Sequence, residues 1–146
     1  AQYNFCIDLN EGMVKKSENV RLTLNQKARE LDKQKQDFQT KYQNNAYLSP
    51  ERAQQEYNRI AKLEQDLQTL SNKLQSELMS ENEKNSLQLR DSINAFLKEY
   101  NKTKGYSMII SNTGFDNLLY ADSIYNITKE IVEGLNARYS SPAPKK

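Results

Sequence analysis

Four aromatic side chains crowd one stretch of a polar chain: Phe38, Tyr42, Tyr47 and Tyr57. They suit non-covalent chemistry, because an aromatic ring buries much apolar area and a phenol adds a polar handle. Groups for bond-making chemistry are scarce. Histidine is absent, which excludes Ser–His and Cys–His nucleophile pairs. The single cysteine, Cys6, excludes an intrachain disulfide and a multi-thiolate zinc site. The four glycines, at 12, 105, 114 and 134, are too scattered for a phosphate-cradling loop. Glu81 and Glu83 are a carboxylate pair of the kind that reads as solvated helix charge. The chain is therefore expected to be no enzyme and to hold no cofactor and no metal.

What positions those aromatics is a long, thinly apolar chain. Only 36% of its 146 residues are hydrophobic and Trp is absent; the mean hydropathy is −0.94. Such a composition suits an elongated molecule, or copies that share a core, better than a compact ball. No stretch approaches the ~20 apolar residues of a membrane-spanning helix. The net charge of +2 is uneven, with eight Lys/Arg against four Asp/Glu over residues 14–50. Residues 51–104 balance at nine against nine. A basic arm attracts acidic clients; the alternative is a merely solvated helix surface. Nucleic-acid binding is not expected, since no groove-reading motif accompanies so small a charge.

Period-two alternation of Tyr3, Phe5, Ile7 and Leu9 predicts a half-buried strand, with Cys6 as a buried, inert thiol. A first long helix then spans about residues 14–45. Leu24, Leu31 and Phe38 recur every seven residues, with Ala28, Lys35 and Tyr42 four residues after each, a coiled-coil stripe with a polar lapse at Lys35. Asn44 and Asn45 end that helix. Ser49 caps the next and Pro50 opens it, which makes a helical hairpin. The second helix runs to about residue 104 on a seam of Ile60, Leu63, Leu67, Leu70 and Leu74. The polar run 79–86 shifts the phase of the stripe and predicts a bend or loose segment.

Two more strands are expected in "YSMIIS" and "NLLYA", joined by a turn at "NTGFDN". A last helix follows, capped by Asn126, with Ile124, Ile127, Ile131 and Leu135 inward and Val132 beside them. Three strands per chain leave bare edges, so several copies are expected to pool them. The fold class expected is α+β, mostly α, with an antiparallel helical hairpin projecting from a small three-strand-plus-helix body that oligomerises. Residues 1–13 and 105–139 form that body, 14–104 the arm with its tip near 44–50, and 140–146 a flexible tail. Phe5, Ile7, Met108, Ile110, Leu118 and Tyr120 are the expected oligomerisation residues.

"LLYADSIYNITKEIVEGLN" (118–136) resembles the C-terminal signature of the Skp/OmpH family of periplasmic chaperones, through Tyr120, Ala121, Asp122, Ile127, Thr128, Ile131, Leu135 and Asn136. The cap is usually Asp in that pattern and is Asn126 here. "FCIDLNEGM" (5–13) is similar to the family's first strand, and the element order matches throughout. The resemblance implies a homotrimer whose three arms enclose a cavity. There it would hold unfolded outer-membrane proteins, without ATP, in the periplasm. The Ala1 start fits a mature exported chain. The family's lipopolysaccharide-binding cluster has no residue-by-residue match.

Two functional readings follow. One is an ATP-independent holdase with client contacts at Phe38, Tyr42, Tyr47 and Tyr57, and with peripheral contact at a membrane surface. Phe38 and Tyr42 have a plainer role available as seam residues, while Tyr47 in the tip turn is expected to be free. The other is a structural or adaptor coiled coil of the cell envelope that binds one folded partner. Two Asn-X-Thr matches, at Asn101 and Asn126, read as chance.

Overall fold

The computed structural model describes residues 2–111 and 118–140. It contains α1 (Asn4–Gln43), α2 (Pro50–Lys104) and α3 (Thr128–Ser140), of 40, 55 and 13 residues. One short 3₁₀ turn, Ser123–Tyr125, precedes α3. The expected three-strand body is not present: no strand occurs among the described residues. The expected turn at "NTGFDN" (112–117) and most of the expected tail (141–146) lie outside them.

The expected first strand is the start of α1 instead. Tyr3 and Ile7, and Phe5, Leu9 and Met13, are also spaced four apart, so the same residues form one helical face, and all five are half-buried. The helix satisfies its own backbone groups, whereas a strand needs a neighbour that the described chain does not offer. Gly12 does not interrupt the helix. Cys6, expected buried, falls on the outer face and is exposed. Residues 106–110 and 118–121 likewise have no ladder partner and form no regular element. Met108 is 77% exposed, Ile110 60%, Leu119 96% and Tyr120 83%.

The chain divides into two compact units, Gly12–Glu83 and Ala1–Glu11 with Lys84–Lys146. The first is the helical hairpin. Its core is the seam: Ile60, Leu31 and Ala53 are 6%, 8% and 8% exposed. Leu31 shares a cleft with Leu63, Leu67 and Leu70. Burying a side chain such as Ile60 contributes roughly 2 kcal/mol. Lys35, the polar lapse in the stripe, reaches across to Glu64 at 2.6 Å, and Lys16 reaches Glu81 at 2.8 Å. Both pairs are largely solvated and therefore add little energy, but they bind an antiparallel register. The polar run 79–86, expected to bend or loosen, is continuous α-helix and supplies that Glu81.

The second unit packs α3 onto the end of α2 and the start of α1. Leu135 is its most buried residue, at 3% exposure. Gly134 lets the Phe96 ring lie against the α3 backbone, where a Cβ would collide with it. Phe5 and Tyr139 stack with ring centres 5.2 Å apart. Asn136 bridges to the chain start: its Oδ1 accepts from the Asn4 N–H at 2.7 Å and its Nδ2 donates to the Gln2 carbonyl at 2.9 Å. Lys104 pairs with Glu130 at 2.6 Å, which joins the end of α2 to the start of α3. α2 stops at Gly105, whose φ of 68° is costly for a residue with a Cβ. Beyond it, the Asn101 side chain holds both backbone groups of Tyr106.

Candidate functional site

The loop between α1 and α2 is built tightly. Asn45 takes a left-handed φ of 51°. The Ala46 N–H then donates to the Lys41 carbonyl at 2.9 Å, and the Asn45 N–H to the Tyr42 carbonyl at 3.2 Å. This is the Schellman pattern, which satisfies carbonyls left open at a helix end. On the other side, the Ser49 hydroxyl accepts from the Arg52 N–H at 3.3 Å, and Pro50 opens α2 as expected.

That loop brings together all four aromatics singled out in the sequence. Phe38 is the hub, with ring centres 5.9 Å from Tyr42, 5.6 Å from Tyr47 and 6.2 Å from Tyr57. Phe38 and Tyr42 lie one turn apart at the end of α1, Tyr57 faces them from α2, and Tyr47 folds in from the loop. Phe38 is half-buried, while Tyr42 and Tyr57 remain 62% and 57% exposed. Tyr47, expected to be free, is half-buried instead, and its hydroxyl is buried with no hydrogen-bond partner. That burial, with the nearby Glu56 carboxylate, pushes the Tyr47 phenol above its ordinary value.

The acidic groups around the cluster are engaged. Glu56 holds Arg59 through two hydrogen bonds of 2.7 and 3.0 Å, which lowers the glutamate pKa. Glu51 is also lowered, by its own backbone N–H and then by the Ser49 hydroxyl. Lys41 and Arg52 form no ion pair among the described residues. One residue escaped sequence reasoning. Leu48 is 96% exposed in the middle of the loop. It occupies no seam position, so periodicity gave it no role; the only signal was an aliphatic residue in so short a connection.

The expected oligomerisation residues fall in two places. Met108, Ile110 and Leu118 line one concavity of about 670 Å³, together with Tyr106, Ile124 and Ile127. Phe5 and Ile7 are half-buried in α1 and do not line it. Tyr120 is exposed beside it in sequence, as are Ile124 at 76% and Tyr125 at 72%. Among the described residues, no group of His, Cys, Asp or Glu is placed to hold a metal ion. No described helix is long and apolar enough to cross a membrane.

A family model described as outer membrane protein (OmpH-like) matches residues 1–135. The chain belongs to the OmpH-like family. The match spans the hairpin and nearly all of α3, so the OmpH-like segment includes both the aromatic cluster and the exposed apolar residues of the second unit. No curated protein and no solved structure matches the chain.

Proposed function

We propose that this OmpH-like chain is an ATP-independent periplasmic holdase for unfolded outer-membrane proteins. It works as a homotrimer whose hairpins enclose the client. Family membership supports the chaperone class. The observation that carries the mode of binding is the exposure of Tyr42 and Tyr57 around a half-buried Phe38. These rings offer apolar area without a shaped pocket, which suits many weak contacts with a chain that has no fixed surface. Repeating the patch on each copy turns weak contacts into useful affinity. The exposed Met108, Ile110 and Tyr120 of the second unit are the surface through which copies would associate.

Size-exclusion chromatography with in-line light scattering tests this. A urea-unfolded outer-membrane barrel protein is diluted into an excess of the chain with no nucleotide. We expect a soluble complex of three copies with one client. A client that pellets or elutes alone, leaving the chain unbound, refutes the reading.

A further inference from the structure

We propose that the α1–α2 loop docks on an anionic lipid bilayer, with Leu48 entering the hydrocarbon edge. A single exposed leucine is ordinary on a protein surface. This one is held in place. The Schellman bonds at Ala46 and Asn45 close one side of the loop, and the Ser49 cap closes the other. Tyr47 turns inward onto Phe38 at 5.6 Å, and its neighbour Leu48 is left 96% exposed. The fold therefore fixes an aliphatic side chain outward instead of leaving it on a loose end.

The surrounding groups favour a bilayer as the acceptor. Tyr42 and Tyr57, both more than half exposed, belong to the same cluster. Tyrosine suits the boundary between headgroups and hydrocarbon, where its ring is buried and its hydroxyl stays wet. The two carboxylates near the loop are already engaged, Glu56 by Arg59 and Glu51 by the start of α2. Lys41 and Arg52 have no ion-pair partner among the described residues, so the uncompensated charge at this end of the hairpin is positive. Cations so placed are attracted to anionic headgroups. A projecting leucine also needs an acceptor that opens around it. Fluid lipid does so, whereas a polypeptide segment seeks a groove. One loop of this size binds weakly and reversibly, and the binding is sensitive to salt.

The chain has no tryptophan, so Leu48→Trp places a single reporter at the proposed point of insertion. The full-length variant is titrated with vesicles of phosphatidylcholine and phosphatidylglycerol in equal parts, and with vesicles of phosphatidylcholine alone. We expect a blue shift of the tryptophan emission with the anionic vesicles, reversed by high salt. Vesicle flotation of the otherwise unaltered chain is then compared with Leu48→Asp and with the Lys41→Glu/Arg52→Glu double variant. Circular dichroism checks that helicity is retained. Each is expected to lower anionic-vesicle binding at least about tenfold. No shift, an equal shift on phosphatidylcholine alone, or flotation that survives both variants overturns the proposal. A shift with an unfolded polypeptide but not with vesicles overturns it too, and assigns Leu48 to client contact.

Discussion

Tyr47 and Gly134 are the residues whose local chemistry is least forgiving. The Tyr47 hydroxyl is buried without a partner, and an unmet polar group of this kind costs about 1 kcal/mol or more. Tyr47→Phe keeps the ring on Phe38 and removes that cost. Its thermal midpoint should be equal to or above that of the unaltered chain, by calorimetry or by ellipticity; a clear fall would mean the hydroxyl has a partner after all. At Gly134 the constraint is space. An alanine there gains about 1 kcal/mol of helix propensity, but its methyl group would meet the Phe96 ring. Overpacking of this kind costs about 1–3 kcal/mol, so Gly134→Ala should be destabilising by about 1 kcal/mol net. Adding Phe96→Leu should recover most of that loss. Additive effects of the two substitutions would show that the ring and the glycine do not touch.

At the scale of elements, α3 is held to α2 partly by charge. Lys104, foremost, lowers the pKa of Glu130. A carboxylate whose folded pKa lies below its unfolded value stabilises above the unfolded value, and this is lost as pH falls through the folded one. The thermal midpoint should therefore drop between neutral and acid pH. Glu130→Gln should be less stable than the unaltered chain at neutral pH, and the gap should close in acid. A constant gap would assign the effect to packing. The helices themselves are legible in the sequence. Ser49–Pro50 announces the restart of α2, and the seam from Ile60 to Leu74 announces its partner face. The N-terminal strand is misread because Tyr3, Phe5, Ile7 and Leu9 satisfy an alternating pattern and a four-residue one at once. The later strands are misread for a different reason. "YSMIIS" and "NLLYA" are apolar enough for a sheet, but within one chain nothing pairs with them.

The same distinction holds for the whole molecule. The aromatic cluster was legible residue by residue, since Phe38, Tyr42, Tyr47 and Tyr57 flank one short connection. Which of them stay exposed was not legible, because that depends on how Tyr47 folds back over Phe38. Leu48 was invisible to periodicity for a related reason: its exposure is a property of the closed loop. Apolar surface thus stands open in each unit, at the hairpin loop in one and around Met108, Ile110 and Tyr120 in the other. In a holdase the first contacts clients and the second joins copies. Replacing Tyr42 and Tyr57 together by serine should leave the helix content intact and weaken client protection several-fold.

The most direct test of the central claim is light scattering from a urea-unfolded outer-membrane barrel protein, diluted without nucleotide into increasing amounts of the chain. Suppression that saturates near three copies per client, and that needs several-fold more of the Tyr42→Ser/Tyr57→Ser variant, is the expected result. Undiminished scattering at every ratio would contradict the account.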